Sequence, residues 1–210
     1  MLPQEALDAD DPRTTRLATQ FLTQYEIVVI ERIKSGPVGN CYENVRQQIA
    51  EHGGRATLGW VPSHFPGHYI ELLHHAVWQD ELGQLHDVTG PSYPAMLGKN
   101  VVFIRDPQPE LDPVADPFVP SWFHCQDDLP GTKEYIRLTR ERMILRARVY
   151  ALIKRHAVPV WREGLNLVTD GFPTPAAEAV IAPLLTRASA IEERREAYIR
   201  RLSKGIFSKL

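Results

Sequence analysis

Gly39-Asn40-Cys41-Tyr42-Glu43-Asn44-Val45, then Gly53-Gly54, Gly59-Trp60, His74-His75-Ala76-Val77-Trp78 and His86-Asp87-Val88-Thr89-Gly90, is the stretch on which the fold turns. Its first part sets a cysteine at the start of a helix. Gly39-Asn40 makes a turn, Val45 and Ile49 share a face, and Gly53-Gly54 stops the element, so a helix is expected over Cys41–His52. Three short strands are expected next, at 56–61, 69–78 and 84–88, with 62–67 as a loop that carries Ser63, His64 and Phe65 between prolines. The polar run Gln79-Asp80-Glu81-Leu82-Gly83 joins the last two strands as a hairpin. A helix followed by antiparallel strands is an α+β pattern, unlike the strand–helix alternation of a parallel sheet.

Upstream, residues 1–12 are acidic, punctuated by Pro3 and Pro12, and expected to fray. Leu17, Phe21, Leu22 and Tyr25 have helical spacing, whereas Ile27-Val28-Val29-Ile30 fits either a strand or the buried end of that helix. Downstream, 91–99 reads as a loop and Asn100–Arg105 as a strand. Residues 106–120 hold five prolines among acids and read as a connector, either a linker or a lid. A long Arg-rich helix is expected over 132–156 and an irregular stretch over 159–175. Thr174 is placed to cap a helix starting at Pro175, Pro183 to break or restart it, and 191–202 to form a charged terminal helix. The domain reading is a core at 13–106, a proline-rich connector at 107–131 and a helical extension at 132–210.

Composition narrows the function. In 210 residues, 43% hydrophobic and 24% charged content is that of a globular chain long enough to bury a core without disulfide or metal staples. A net charge of -2 supplies no general attraction to nucleic acid or acidic membranes. The apolar run 27–30 is too short to span a bilayer, and acids interrupt the first residues where a leader would be apolar. With only Cys41 and Cys125, a cytoplasmic chain with free thiols is expected.

A thiol becomes a strong nucleophile at a helix N-terminus beside an imidazolium, and a carboxylate on the next strand can orient that imidazole. Alternation along 69–78 sets His75 and Val77 on one face, with His74, Ala76 and Trp78 on the other. In 84–88, Leu85 and Asp87 share a face opposite to His86. Cross-strand pairing can therefore join His75 to Asp87. Backbone N–H groups around Asn40 and Cys41 offer an oxyanion site, and Trp60 and Trp78 are either core or groove-lining.

The order Gly-x-Cys opening a helix, then His-Ala-(x)-Trp on a strand, then Asp-x-Thr after a hairpin resembles the transglutaminase-like group of papain-fold thiol enzymes. It also resembles uncharacterised bacterial proteins with Cys-x-x-Asn-Val, Gly-Trp, His-Ala-Val-Trp and Asp-Val-Thr in succession, some with a cysteine-rich zinc module that is absent here. The likeness covers about a quarter of the chain, and Val77 stands between Ala76 and Trp78 where the familiar spacing is His-Ala-Trp. It implies an α+β papain/transglutaminase-like core, a Cys-bearing helix packed on an antiparallel sheet, with a mainly helical C-terminal extension. It implies Cys41 as nucleophile, His75 as general base and acid, and Asp87 as the residue holding the imidazole. The group includes peptidases, amidases, deamidases and acyl-transferring cross-linkers, so a protein, peptide or small amide is the implied substrate, with no cofactor and no metal.

Two readings from other classes compete. The core can be a catalytically inactive papain-like fold used as a protein-binding module, with the C-terminal helices meeting a partner. Alternatively His64, His68, His74, His75 and His86 can hold a metal, although no Cys-x-x-Cys or His-Glu-x-x-His pair occurs. Cys125 beside His124 reads as structural. The acids interleaved with the arginines of 132–156 read as a solvated face rather than a nucleic-acid surface.

Overall fold

In a computed structural model the chain divides into two compact units, with the boundary between Gln126 and Asp127. The residues described are 5–37, 39–90, 100–107, 119–163 and 166–207. The expected loop at 91–99 and residues 108–118 of the proline-rich connector lie outside them.

The first unit contains β1 (Glu5–Ala6), α1 (Pro12–Phe21), β2 (Glu26–Gly36), α2 (Cys41–His52), β3 (Arg55–Phe65), β4 (Tyr69–Gln79), β5 (Leu85–Thr89), β6 (Asn100–Arg105) and β7 (Trp122–Cys125). The sheet order is β1-β3-β6-β2-β5-β4-β7. A further pairing of β3 with β4 closes β3, β6, β2, β5 and β4 into a five-stranded barrel, with β1 and β7 appended. All pairings are antiparallel except β2 with β5. That parallel pair is possible because α2, β3 and β4 form the long crossover it requires.

Period-two alternation sorts each barrel strand between two environments. Ile30, Val61, Val77, Val101 and Phe103, all from strands, pack together as the barrel interior. On the outside, α1 covers Trp60, Ile70, Leu72 and Ile104 through Leu17 and Ala18, joined by Leu7. The second helix covers Leu58, Ala76 and Val88 through Cys41 and Val45. Asp11 caps α1 by accepting the Arg13 N–H at 2.8 Å, with Pro12 in the first turn.

In this unit one open alternative is resolved and three sequence expectations are corrected. The 27–30 run is strand, paired residue by residue with β6 from Ile27↔Ile104 to Ile30↔Val101, with Ile30 buried and Val29 56% exposed. The 62–67 segment is not a loop: β3 continues through Phe65 and pairs with β4 throughout, and the turn is confined to the residues around Gly67. Pro62 is tolerated on the strand while its carbonyl accepts the Leu7 N–H at 3.5 Å. Residues 5–7 do not fray, because β1 pairs with β3 and Leu7 is buried. The connector read as 107–131 carries strand β7, which pairs with β4 from Tyr69↔Cys125 to Leu72↔Trp122, so the sheet extends past the expected core end at Asp106.

The second unit contains α3 (Pro130–Arg155), β8 (Trp161–Glu163), β9 (Asn166–Val168) and α4 (Pro175–Phe207). The pair Arg194–Glu134 at 2.9 Å, then Arg187–Glu141, then the packing of Val149 and Ile153 on Ile181 and Ala177 run up one helix and down the other, so the two are antiparallel; Arg142 also pairs with Glu192 at 2.6 Å. Leu138, Leu145 and Ile191 pack between them. Thr174 caps α4 as expected, its Oγ1 accepting the Ala177 N–H at 3.1 Å. Pro183 does not break the helix, and 191–202 is no separate element: Ala177, Ile181, Leu184 and Leu185 pack with α3 residues on both sides of the proline, which holds the two halves in line. The irregular stretch expected at 159–175 includes the β8–β9 hairpin.

No described helix is long and apolar enough to cross a membrane. Gly59 sits where an added Cβ would collide with the Ile104 carbonyl and the Phe103 ring. Gly59→Ala is therefore expected to lower stability by about 1–3 kcal/mol through overpacking, measured as a lower urea midpoint at unchanged slope.

Candidate active site

The site begins at the N-terminus of α2. Gly39 takes φ 77, a left-handed conformation that glycine adopts without strain, and the chain enters α2 with Cys41 as its first residue. Cys41 is 9% exposed and packs on Val45, Leu58, Ala76 and Val88. The positive end of the helix is directed at this position.

His75 lies on β4 opposite Gly59, on the same strand face as interior Val77. Its Nε2 is 2.9 Å from Asp87 Oδ1. The β4–β5 ladder pairs Trp78 with His86 and Gln79 with Leu85. Continued by one residue, it sets Asp87 across from Val77 and diagonal to His75, within reach of two long side chains on one face. Cys41 lies close enough to His75 to favour its protonated ring. With Nε2 engaged by Asp87, Nδ1 is the nitrogen left for sulfur.

Asp87 is 1% exposed and has three donors. Oδ1 takes His75 and the Thr89 N–H, the latter at 3.1 Å, while Oδ2 takes Arg32 Nε at 2.9 Å. Arg32 is its direct ladder partner on β2. Burial disfavours the Asp87 carboxylate, but His75 and then Arg32 outweigh that cost and hold its pKa below the ordinary value. Burial likewise opposes the His75 imidazolium. The charges and hydrogen bonds of Asp87 and Cys41 overcome it, raising His75 from 6.5 to about 10.

Asn44 ties the helix to the strand that carries the carboxylate. Its Nδ2 donates to Thr89 Oγ1 at 3.0 Å and to the Pro37 carbonyl at 2.9 Å. A Cβ on Gly36 would run into the Asn44 amide, so the glycine leaves room for this clamp. Trp78 Nε1 donates to the Gly53 carbonyl at 2.9 Å and fixes the far end of α2.

The structure thus brings Cys41, His75 and Asp87 together and leaves other expected groups elsewhere. Asn40 makes no capping bond, and its Oδ1 is buried without a partner among the described residues. Trp60 is core: it packs with Leu17 and Leu72 and donates to Asp106 Oδ2 at 3.3 Å. His74 faces away from His75, with Nδ1 2.7 Å from the Tyr42 hydroxyl; burial and the nearby His75 push its pKa down to about 4. His64 pairs with Glu5, His86 with Asp80, and His68 stacks on Phe65. The histidines are thus dispersed, and among the described residues no group of three or more His, Cys, Asp and Glu forms a metal-ligand set.

Arg32 and the Asn44–Thr89 clamp were not singled out by the sequence reading. A signal for Arg32 exists: it falls in phase with Val28 and Ile30, placing a cation on the interior face of β2. Asn44 and Thr89 belong to the quoted motifs, and their pairing gives those motifs a physical reason.

No protein-family model, curated protein or solved structure matches the chain.

Asn44→Ala removes one buried and one partly buried hydrogen bond and is expected to cost about 1–3 kcal/mol, read from chemical denaturation. The raised pKa of His75 means that its stabilising contribution is complete below about 6.5 and is lost as pH rises through about 10. Asp87 works in the opposite direction, losing its contribution as pH falls below 3.8. Melting temperatures at pH 7 and 10 should fall further for the wild type than for His75→Gln; equal falls would show that His75 carries no such linkage.

Proposed function

We propose that this chain is a thiol-dependent hydrolase or acyltransferase with a papain/transglutaminase-like core, acting on an amide or related acyl bond of a protein, peptide or small molecule. The observation that carries the reading is one imidazole hydrogen-bonded to a buried carboxylate and close to a thiol that opens a helix. Cys41 is the nucleophile, His75 the proton carrier and Asp87 the group that orients His75.

For attack, the thiol proton passes to His75. The thiolate attacks the carbonyl carbon, and collapse of the tetrahedral adduct breaks the carbon–nitrogen bond as His75 protonates the departing amine. Acylation also removes the sulfur charge, one of the factors that raise the pKa of His75. The neutral imidazole can then take a proton from water, or from an acceptor amine, as either attacks the thioester. The thiolate leaves and the imidazolium is restored. Hydrolysis and acyl transfer differ only in which nucleophile arrives second. Two free cysteines suit a reducing, cytoplasmic setting.

A second reading, an inactive fold serving as a protein-binding module with the C-terminal helices at the interface, draws on the small exposure of Cys41, 9%. Alkylation separates the two. Iodoacetamide at pH 5.5 should label Cys41 at least about 10-fold faster than Cys125, as a thiolate–imidazolium pair stays nucleophilic where an ordinary thiol is protonated. His75→Gln should remove that preference. Equal, slow labelling of both cysteines supports the binding module.

A further inference from the structure

We propose that Arg32 is a positioning residue of the thiol site, acting through Asp87 to balance its charge once Cys41 has been acylated. The inference rests on the thiol-enzyme reading above and adds to it a residue and a task. Its basis is the row Arg32, Asp87, His75 and Cys41, drawn from β2, β5, β4 and α2, the first three linked in that order by hydrogen bonds and Cys41 close to His75. The Arg32 side chain is 10% exposed and Asp87 1%, so solvent screens this row poorly.

Charge counting supplies the argument. With a thiolate and an imidazolium, the row reads plus, minus, plus, minus and sums to zero. When the sulfur becomes a neutral thioester, the same sum is zero only if His75 is neutral, the form that accepts a proton from the second nucleophile. Without Arg32 the thioester state balances only with His75 charged. Asp87 would then hold the imidazolium and oppose the base step.

The geometry suits this task. Oδ1 serves His75 and the Thr89 N–H, while Arg32 takes the other oxygen and leaves the His75 contact intact. Arg32 and Asp87 are direct partners on the parallel pair, and the register shifts just beyond, between Arg32 and Gly36. Among the described residues, His74 follows on the opposite face of β4, paired with Tyr42, and Asp106 lies on the His74 side.

The test uses Cys41→Ala as parent, which removes the sulfur charge whether or not Cys41 is reactive. The protonation midpoint of His75 is followed by NMR of the ring in the full chain. Adding Arg32→Gln should raise that midpoint by about one unit, as loss of a nearby cation favours the imidazolium. Adding Arg32→Lys, which keeps the charge, should leave it near the parent value. An unmoved midpoint in a folded Arg32→Gln protein overturns the proposal, as does an equal rise with lysine. Should Arg32→Gln fail to fold, the lysine variant decides: an unmoved midpoint supports the charge role and a rise overturns it. Failure of the alkylation test would remove the enzyme reading without touching this measurement, so the two failures are distinguishable.

Discussion

A carboxylate buried to 1% exposure is the constraint around which the barrel is arranged. Removing such a charge from water costs several kcal/mol unless partners replace its hydration. Asp87 obtains three, each from a different part of the backbone: a guanidinium on β2, an imidazole on β4 and a peptide N–H two residues along its own strand. Pairing β2 parallel to β5 puts Arg32 directly across from it, and the β4–β5 hairpin puts His75 diagonally across. The pairing of β2, β5 and β4 and the satisfaction of the carboxylate are therefore one requirement.

Strand β4 shows how one residue of phase separates two chemistries. His75 shares the face of interior Val77 and meets Asp87; His74 shares the outer face with Ala76 and meets Tyr42 and the edge of Trp60. Both rings are buried, yet their pKa values move in opposite directions, up to about 10 for His75 and down to about 4 for His74. The difference is the anion, since desolvation acts on both in the same sense. The Asn44–Thr89 bond then couples helix α2, and with it Cys41, to the strand bearing the carboxylate.

The second unit relies on other means. Arg195 stands over the Tyr135 ring and donates to its hydroxyl at 3.0 Å and to Thr139 Oγ1 at 2.9 Å, in addition to pairing with Glu192. The more exposed pairs, such as Arg194–Glu134, add little stability individually and serve chiefly to set the register of the two helices. Several arginines that make this region look basic in sequence are thus engaged with acids on the same or the facing helix.

Much of this protein was legible in its sequence. Turn glycines and local periodicity delimited α2 and β6, and alternation assigned His75 and Asp87 to matching faces, because these depend on neighbours a few residues away. Thr174 was readable as a cap for the same reason. Long-range pairing decided the rest. Pro62 lies in a strand because β4 runs beside it, β7 exists because the β4 edge accepts it, and Pro183 is held within α4 by packing against α3. Arg32 joined the site through a parallel contact with a residue 55 positions away, and no local pattern encodes such a register. Sequence alone determined which residues could form a thiol–imidazole–carboxylate row; the long-range pairing of β2, β5 and β4 decided that the imidazole and carboxylate meet, and that a guanidinium stands at the end of the row.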